Sequence, residues 1–110
     1  MTRRADYLAA NRSQRQTTPG FILLVRDRRD GDSAVRLGIT VSKKVGGAVI
    51  RNRMKRRFRA LARELLPQGG LPGADHVLIG RREGVERDFA ALRAELGTAL
   101  ERAVRKARRP

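Results

Sequence analysis

Two repeat lengths meet at Gly46 and Gly47, and that junction constrains the fold more than any other feature of the chain. Upstream, Val35, Leu37, Ile39 and Val41 alternate with Arg36, Gly38, Thr40 and Ser42, the two-residue period of a strand with one buried face. Downstream, at about 100° per residue, Ile50, Met54, Phe58, Leu61 and Leu65 fall within one narrow arc. A strand must give way to an amphipathic helix within a few residues, and the apolar arc of that helix needs a sheet to lie on.

The other segments supply the sheet. Phe21 to Arg28, "FILLVRDR", is an apolar run that turns polar, with the length of a strand buried on both faces. Asp30 and Gly31 give a turn signal, so this strand and Val35 to Ser42 are expected to form a β-hairpin. Ala5 to Asn11 suits a short helix, and Arg12 to Gly20 reads as a polar loop ending in Pro19 and Gly20. Pro67 with Gly69 and Gly70 is expected to end the central helix. "HVLIG", His76 to Gly80, is a short buried strand that joins the same sheet by a crossover, because a helix precedes it. From Asp88, which suits either a cap or the N-terminal dipole, the positions Phe89, Leu92, Leu96, Leu100, Ala103 and Val104 mark a last helix. Arg102, Arg105, Lys106 and Arg108 suit its C-terminal end. The expected class is α+β: a two-layer α/β sandwich, a mixed or antiparallel sheet with three helices, in one domain over residues 1–110.

The charge on the central helix is harder to account for by stability. Arg51, Lys55 and Arg59 form one i, i+4 row, Asn52 and Arg56 the next, and Arg63 extends them, with Glu64 as the only acid on that side. Lys43, Lys44, Arg51, Arg53, Lys55, Arg56, Arg57 and Arg59 follow one another with no acid between. Like charges one turn apart each cost a few tenths of a kcal/mol, so a helix selected for stability alone would interleave Glu. The formal net charge of +15 points the same way, to a polyanionic partner. Lys43 and Lys44 carry the charge into the turn where helix N–H groups are unpaired. Asn52 interrupts the cations with an amide, which both donates and accepts.

Several classes fall away. No apolar run approaches the roughly 20 residues that span a bilayer, and "MTRRADYLAANRSQRQ" lacks a secretory core, which places the protein in the cytoplasm. With no Cys and one His, thiolate zinc sites, disulfides and a catalytic triad are remote. Asp27, Asp30 and Asp32 bunch around an arginine-rich turn, where aspartates bond their own backbone rather than build the two-metal site of a nuclease. His76 reads as a core or strand-boundary residue, and the glycine pair lacks the ending of a P-loop. On composition alone, a structural RNA-binding protein of the ribosomal type remains open.

The stretch Arg36 to Leu66, "RLGITVSKKVGGAVIRNRMKRRFRALARELL", resembles the protein subunit of bacterial ribonuclease P. Its "RNR" element, Arg51, Asn52 and Arg53, followed by Lys55, Arg56 and Arg59 and preceded by "SKK" and a glycine turn, is the signature of that family. "RADYLAA", "PGFILLVR" and "ADHVLIGR" are looser but collinear. The resemblance implies a ribosomal protein S5 domain 2-like sandwich with a left-handed βαβ crossover, against the usual preference. It also implies a subunit that helps remove the 5′ leader of precursor tRNA, one protein per RNA, while the catalytic centre and its Mg2+ lie in the RNA. RNA binding then falls to Lys43, Lys44, Arg51, Asn52, Arg53, Lys55, Arg56, Arg59 and Arg63, and a leader-binding cleft to Tyr7 and Phe21. Two positions depart from the pattern: Asn11 stands where many members carry a second aromatic, and Leu24 where some carry Tyr.

Overall fold

The computed structural model describes residues 14–28 and 31–107. They form strands β1 (Gln14–Thr17), β2 (Phe21–Asp27) and β3 (Arg36–Thr40), helix α1 (Ala48–Gly69), strand β4 (Ala74–Gly80), a 3-10 turn (Arg82–Gly84) and helix α2 (Phe89–Ala107). The helix expected over Ala5 to Asn11 lies outside the described residues.

The sheet is mixed, in the order β1-β2-β4-β3. β2 runs antiparallel to β4 from Phe21 opposite Gly80 to Asp27 opposite Ala74. β3 runs parallel to β4, from Arg36 opposite Asp75 to Thr40 opposite Ile79, so β3, α1 and β4 make the expected crossover. The expected hairpin between β2 and β3 does not form, because β4 lies between them. The two apolar runs, in β2 and β4, take the centre, buried on one face and half-buried on the other; the alternation of β3 suits an edge. The loop after β2 also bonds elsewhere: the Arg28 N–H donates to the Gly73 carbonyl (3.0 Å) and the Gly73 N–H to the Ser33 carbonyl (3.1 Å).

The hairpin that does form joins β1 to β2, through Pro19 and Gly20, closed by the Thr18 N–H on the Phe21 carbonyl at 2.9 Å. Gln14–Thr17 is thus a strand where a polar loop was expected. Its side chains are all polar, so it is held by the backbone ladder to β2 and by the last helix lying over its half-buried Gln14 and Gln16, and no hydropathy pattern records it.

Both helices pack on one face of the sheet, α2 over β1 and β2, α1 against β3 and α2. Phe21, Leu23 and Val25 from β2 and Ala74, His76 and Leu78 from β4 meet Met54, Phe58, Leu61 and Ala62 of α1 and Leu92, Leu96 and Leu100 of α2. Burying each large apolar side chain contributes about 1.5–3 kcal/mol. Phe21 and Phe58 meet edge to face, centroids 5.8 Å apart. A Cβ at Gly80 would lie 2.5 Å from Met54 Sδ, so the glycine is what lets α1 close on β4.

The apolar arc of α1 is shorter than expected at its start. Ile50 is 40% exposed and rests against the Gly46 backbone, while full burial begins at Met54. The helix ends at the expected glycine pair, running to Gly69 with the Gly70 N–H on the Leu66 carbonyl at 2.9 Å, while Pro67 itself lies inside its last turn. So near the C-terminus a proline sacrifices one N–H bond, and the helix survives it. Asp88 caps α2 as expected, its Oδ2 accepting from the Ala91 N–H at 3.3 Å.

His76 is fully buried in the core. Its Nε2 accepts from the Leu71 N–H (3.0 Å), which leaves Nδ1 as the donor to the Arg36 carbonyl (3.2 Å). The ring is therefore neutral, and desolvation holds its pKa below the ordinary value. No helix among the described residues is long and apolar enough to cross a membrane.

Candidate nucleic-acid interface

The crossover β3-α1-β4 brings the loop Ser42 to Gly47 and the polar side of α1 into one continuous surface. The Arg82 guanidinium donates to the Lys44 carbonyl at 2.8 Å, and the Val45 N–H to the Ser42 carbonyl at 3.1 Å, which fixes the loop ahead of the helix. Gly47 is the N-cap of α1, without a side-chain cap, and the first turn holds no acid. The amides of that turn are left for an anion, and the helix dipole favours one there.

Six cations on this surface are exposed: Lys43, Lys44, Arg53, Arg56, Arg59 and Arg63. Arg51 and Lys55 are half-buried, and Arg51 Nε is enclosed without a hydrogen-bond partner among the described residues. None of these eight is ion-paired among the described residues, where Asp32, Asp75, Glu64, Glu95 and Glu101 pair with other arginines. Glu64 reaches Arg93 of α2 at 3.2 Å, so the acid of the polar side turns away from the cationic rows. Asn52 is exposed, and its side chain forms no hydrogen bond to a described residue, leaving donor and acceptor free for a partner.

Arg57 leaves the basic run. Its guanidinium donates to the carbonyls of Gly84 (3.3 Å), Val85 (3.2 Å) and Arg87, and lies 5.9 Å from the centroid of Phe89. It ties α1 to the segment between β4 and α2. The sequence carries a signal for this, since Arg57 sits three residues after Met54 and four before Leu61, beside the buried arc. Arg28 is a second structural cation that sequence reasoning passed over, bonded to Asp75 (3.0 Å) and to the Ala34 carbonyl (2.8 Å).

Phe21 does not belong to a leader-binding surface. Fully buried beneath Phe58 on the helix-covered face, it cannot be reached by a ligand. Alternation along β2 puts Ile22 and Leu24 on the opposite face, level with Ile79 and Val77 of β4, all four half-buried. Tyr7 and Asn11 lie outside the described residues. Among those residues no group of three His, Asp or Glu side chains is placed to hold a metal ion. Asp32 accepts from the Ala34 N–H at 2.9 Å, the backbone bond of a turn aspartate.

The Ribonuclease P family profile matches residues 1–104. The chain is 59% identical to the ribonuclease P protein component of Erythrobacter litoralis, over 92% of this chain and 82% of that one. It is 45% identical to that of Ruegeria pomeroyi, over 91% and 82%. Among solved structures, the RNase P protein of Thermotoga maritima superposes with a TM-score of 0.74 at 30% identity, covering 93% of this chain and 94% of that one. With the signature residues gathered on one helix, Asn52, Arg53, Arg56 and Arg59 exposed, and this agreement along nearly the whole length, the chain belongs to the ribonuclease P protein family.

Proposed function

We propose that the chain works as the protein component of ribonuclease P by docking α1 on the catalytic RNA and holding the 5′ leader of precursor tRNA beside it. The observation that carries this reading is the set of exposed cations on α1 and its preceding loop, none of them neutralised by a carboxylate among the described residues. Phosphates are the missing counter-charge, and Asn52 adds a contact with direction. The half-buried apolar face with Ile22, Leu24, Val77 and Ile79 is the surface offered to unstacked leader bases. Tyr7 is the aromatic assigned to stacking.

In this reading Mg2+ belongs to the RNA subunit, and the protein acts by positioning the leader and screening phosphate repulsion. One protein serves one RNA, in the cytoplasm. The deciding experiment is reconstitution with protein alone, catalytic RNA alone and both together, at low magnesium. Leader removal by the RNA should rise strongly when the protein is added. Cleavage by the protein alone would make it a nuclease in its own right, and no stimulation would return it to the structural RNA binders of ribosomal type.

A further inference from the structure

A cleft of about 370 Å3 lies where β3, an edge strand, meets the C-terminal half of α1. Val35, Leu37, Ala62, Leu66 and Pro67 make its apolar lining, joined by the exposed Arg59 and Arg63. Val35 and Leu37 are 37% and 40% exposed, although their alternation marks them as residues to be covered. An exposed apolar edge is a liability that folded proteins cover or charge.

Charge selects the occupant. Neither arginine is ion-paired among the described residues, and none of the described acids lines the cleft. Arg59 also closes the row that begins at Arg51 and Lys55, so the cleft continues the cationic face of α1. The complementary ligand carries a phosphate next to a flat, weakly polar body. Bases in a duplex are hidden in the stack, whereas an unpaired nucleotide can turn its base outward.

We propose that this cleft receives one unpaired nucleotide of the RNA docked on α1, with its base against Val35 and Leu37 and its phosphate between Arg59 and Arg63. The inference rests on the ribonuclease P reading above. The lining offers no amide or hydroxyl side chain to read a base edge, so the site takes any base and selects for an unpaired one.

The test titrates the RNA subunit with the wild-type protein, with Val35→Ser, Leu37→Ser combined, and with Arg63→Ala, while 2′-hydroxyl acylation maps the RNA. Wild-type protein should protect an unpaired nucleotide that the double variant leaves reactive. The double variant should bind about five- to tenfold more weakly at unchanged salt dependence, because it loses apolar contact with the base and no phosphate contact. Arg63→Ala should instead lower the salt slope by about one phosphate. Single Val35→Ser carries the same protection test if the double variant melts early. Equal binding and identical protection by wild type and variants would overturn this inference alone, whereas a wild-type protein that binds no RNA would overturn the parent reading as well. Self-association of the wild type that the double variant abolishes, seen by sedimentation, would give the cleft to a second copy and also overturn it.

Discussion

Arg56 and Arg57 are adjacent in sequence and opposite in consequence. Arg56 is exposed and unpaired among the described residues, whereas Arg57 spends its donors on three carbonyls of the segment before α2. Hydrogen bonds to a charged group are worth about 1.5–3 kcal/mol, so with these partly buried bonds Arg57→Ala should lower unfolding free energy by about 2 kcal/mol in urea titrations. Arg57→Lys should recover little of it, because one ammonium cannot span carbonyls that a planar fork spans. Arg56→Ala should stay within about 0.5 kcal/mol of wild type while weakening RNA binding; equal stability loss in both variants would show that Arg56 is structural too. His76 supports a separate prediction. Its folded pKa lies below the ordinary 6.5, so its contribution to stability is complete above that pH. Below pH 6.5 the unfolded chain takes up a proton that the folded core refuses, and stability falls as pH drops toward the folded pKa. His76→Gln keeps an acceptor for the Leu71 N–H and cannot titrate there. Its unfolding free energy should therefore lose less than that of wild type between pH 7.5 and 5.5.

At the scale of elements, α1 lacks the capping that would stabilise it alone. Gly47 holds the N-cap with extended backbone, φ −70° and ψ 178°, and a Cβ there would meet nothing within 4 Å. Gly47→Asp should fit, and would add a cap and a favourable charge at the dipole worth about 0.5–1 kcal/mol. The same carboxylate would fill the place of an RNA phosphate, so thermal stability should rise while affinity for the RNA falls. A variant that gains in both would show that the N-terminus of α1 does not face RNA. This helix was the most legible element in the sequence, because its apolar period and its cationic rows are both local patterns. The alternation of β3 and the run of β2 were legible as strands for the same reason. Their neighbours were not, since pairing order depends on which strands take the centre of the sheet, and a turn signal at Asp30 and Gly31 says only that the chain reverses. β1 leaves no hydropathy signal, because Gln14, Arg15, Gln16 and Thr17 bury no apolar side chain. Resemblance points Phe21 toward the leader cleft, whereas the two-residue period of β2 puts it on the face that α1 and α2 cover.

The whole molecule carries a net charge of +15 on 110 residues, and its ion pairs among the described residues leave the α1 face uncompensated. That excess should make salt act with opposite signs on folding and on binding. In the free protein the cations of Lys43 to Arg63 repel one another across distances comparable to the screening length of about 10 Å at 0.1 M. Raising sodium chloride from 50 to 300 mM should therefore raise the melting temperature of the free protein, as self-repulsion in the compact state is screened. Binding to RNA runs the other way. If about six phosphates are neutralised, one for each exposed cation of the surface, log K should fall against log salt with a slope near −5, at roughly 0.9 per phosphate. Both measurements need only the purified protein and its RNA. A melting temperature that falls with salt would show that attractive pairs, rather than the unpaired face, dominate the electrostatics of the fold. A binding slope near −1 would mean that the cationic rows of α1 do not lie on phosphates, and would move the RNA contact to another surface.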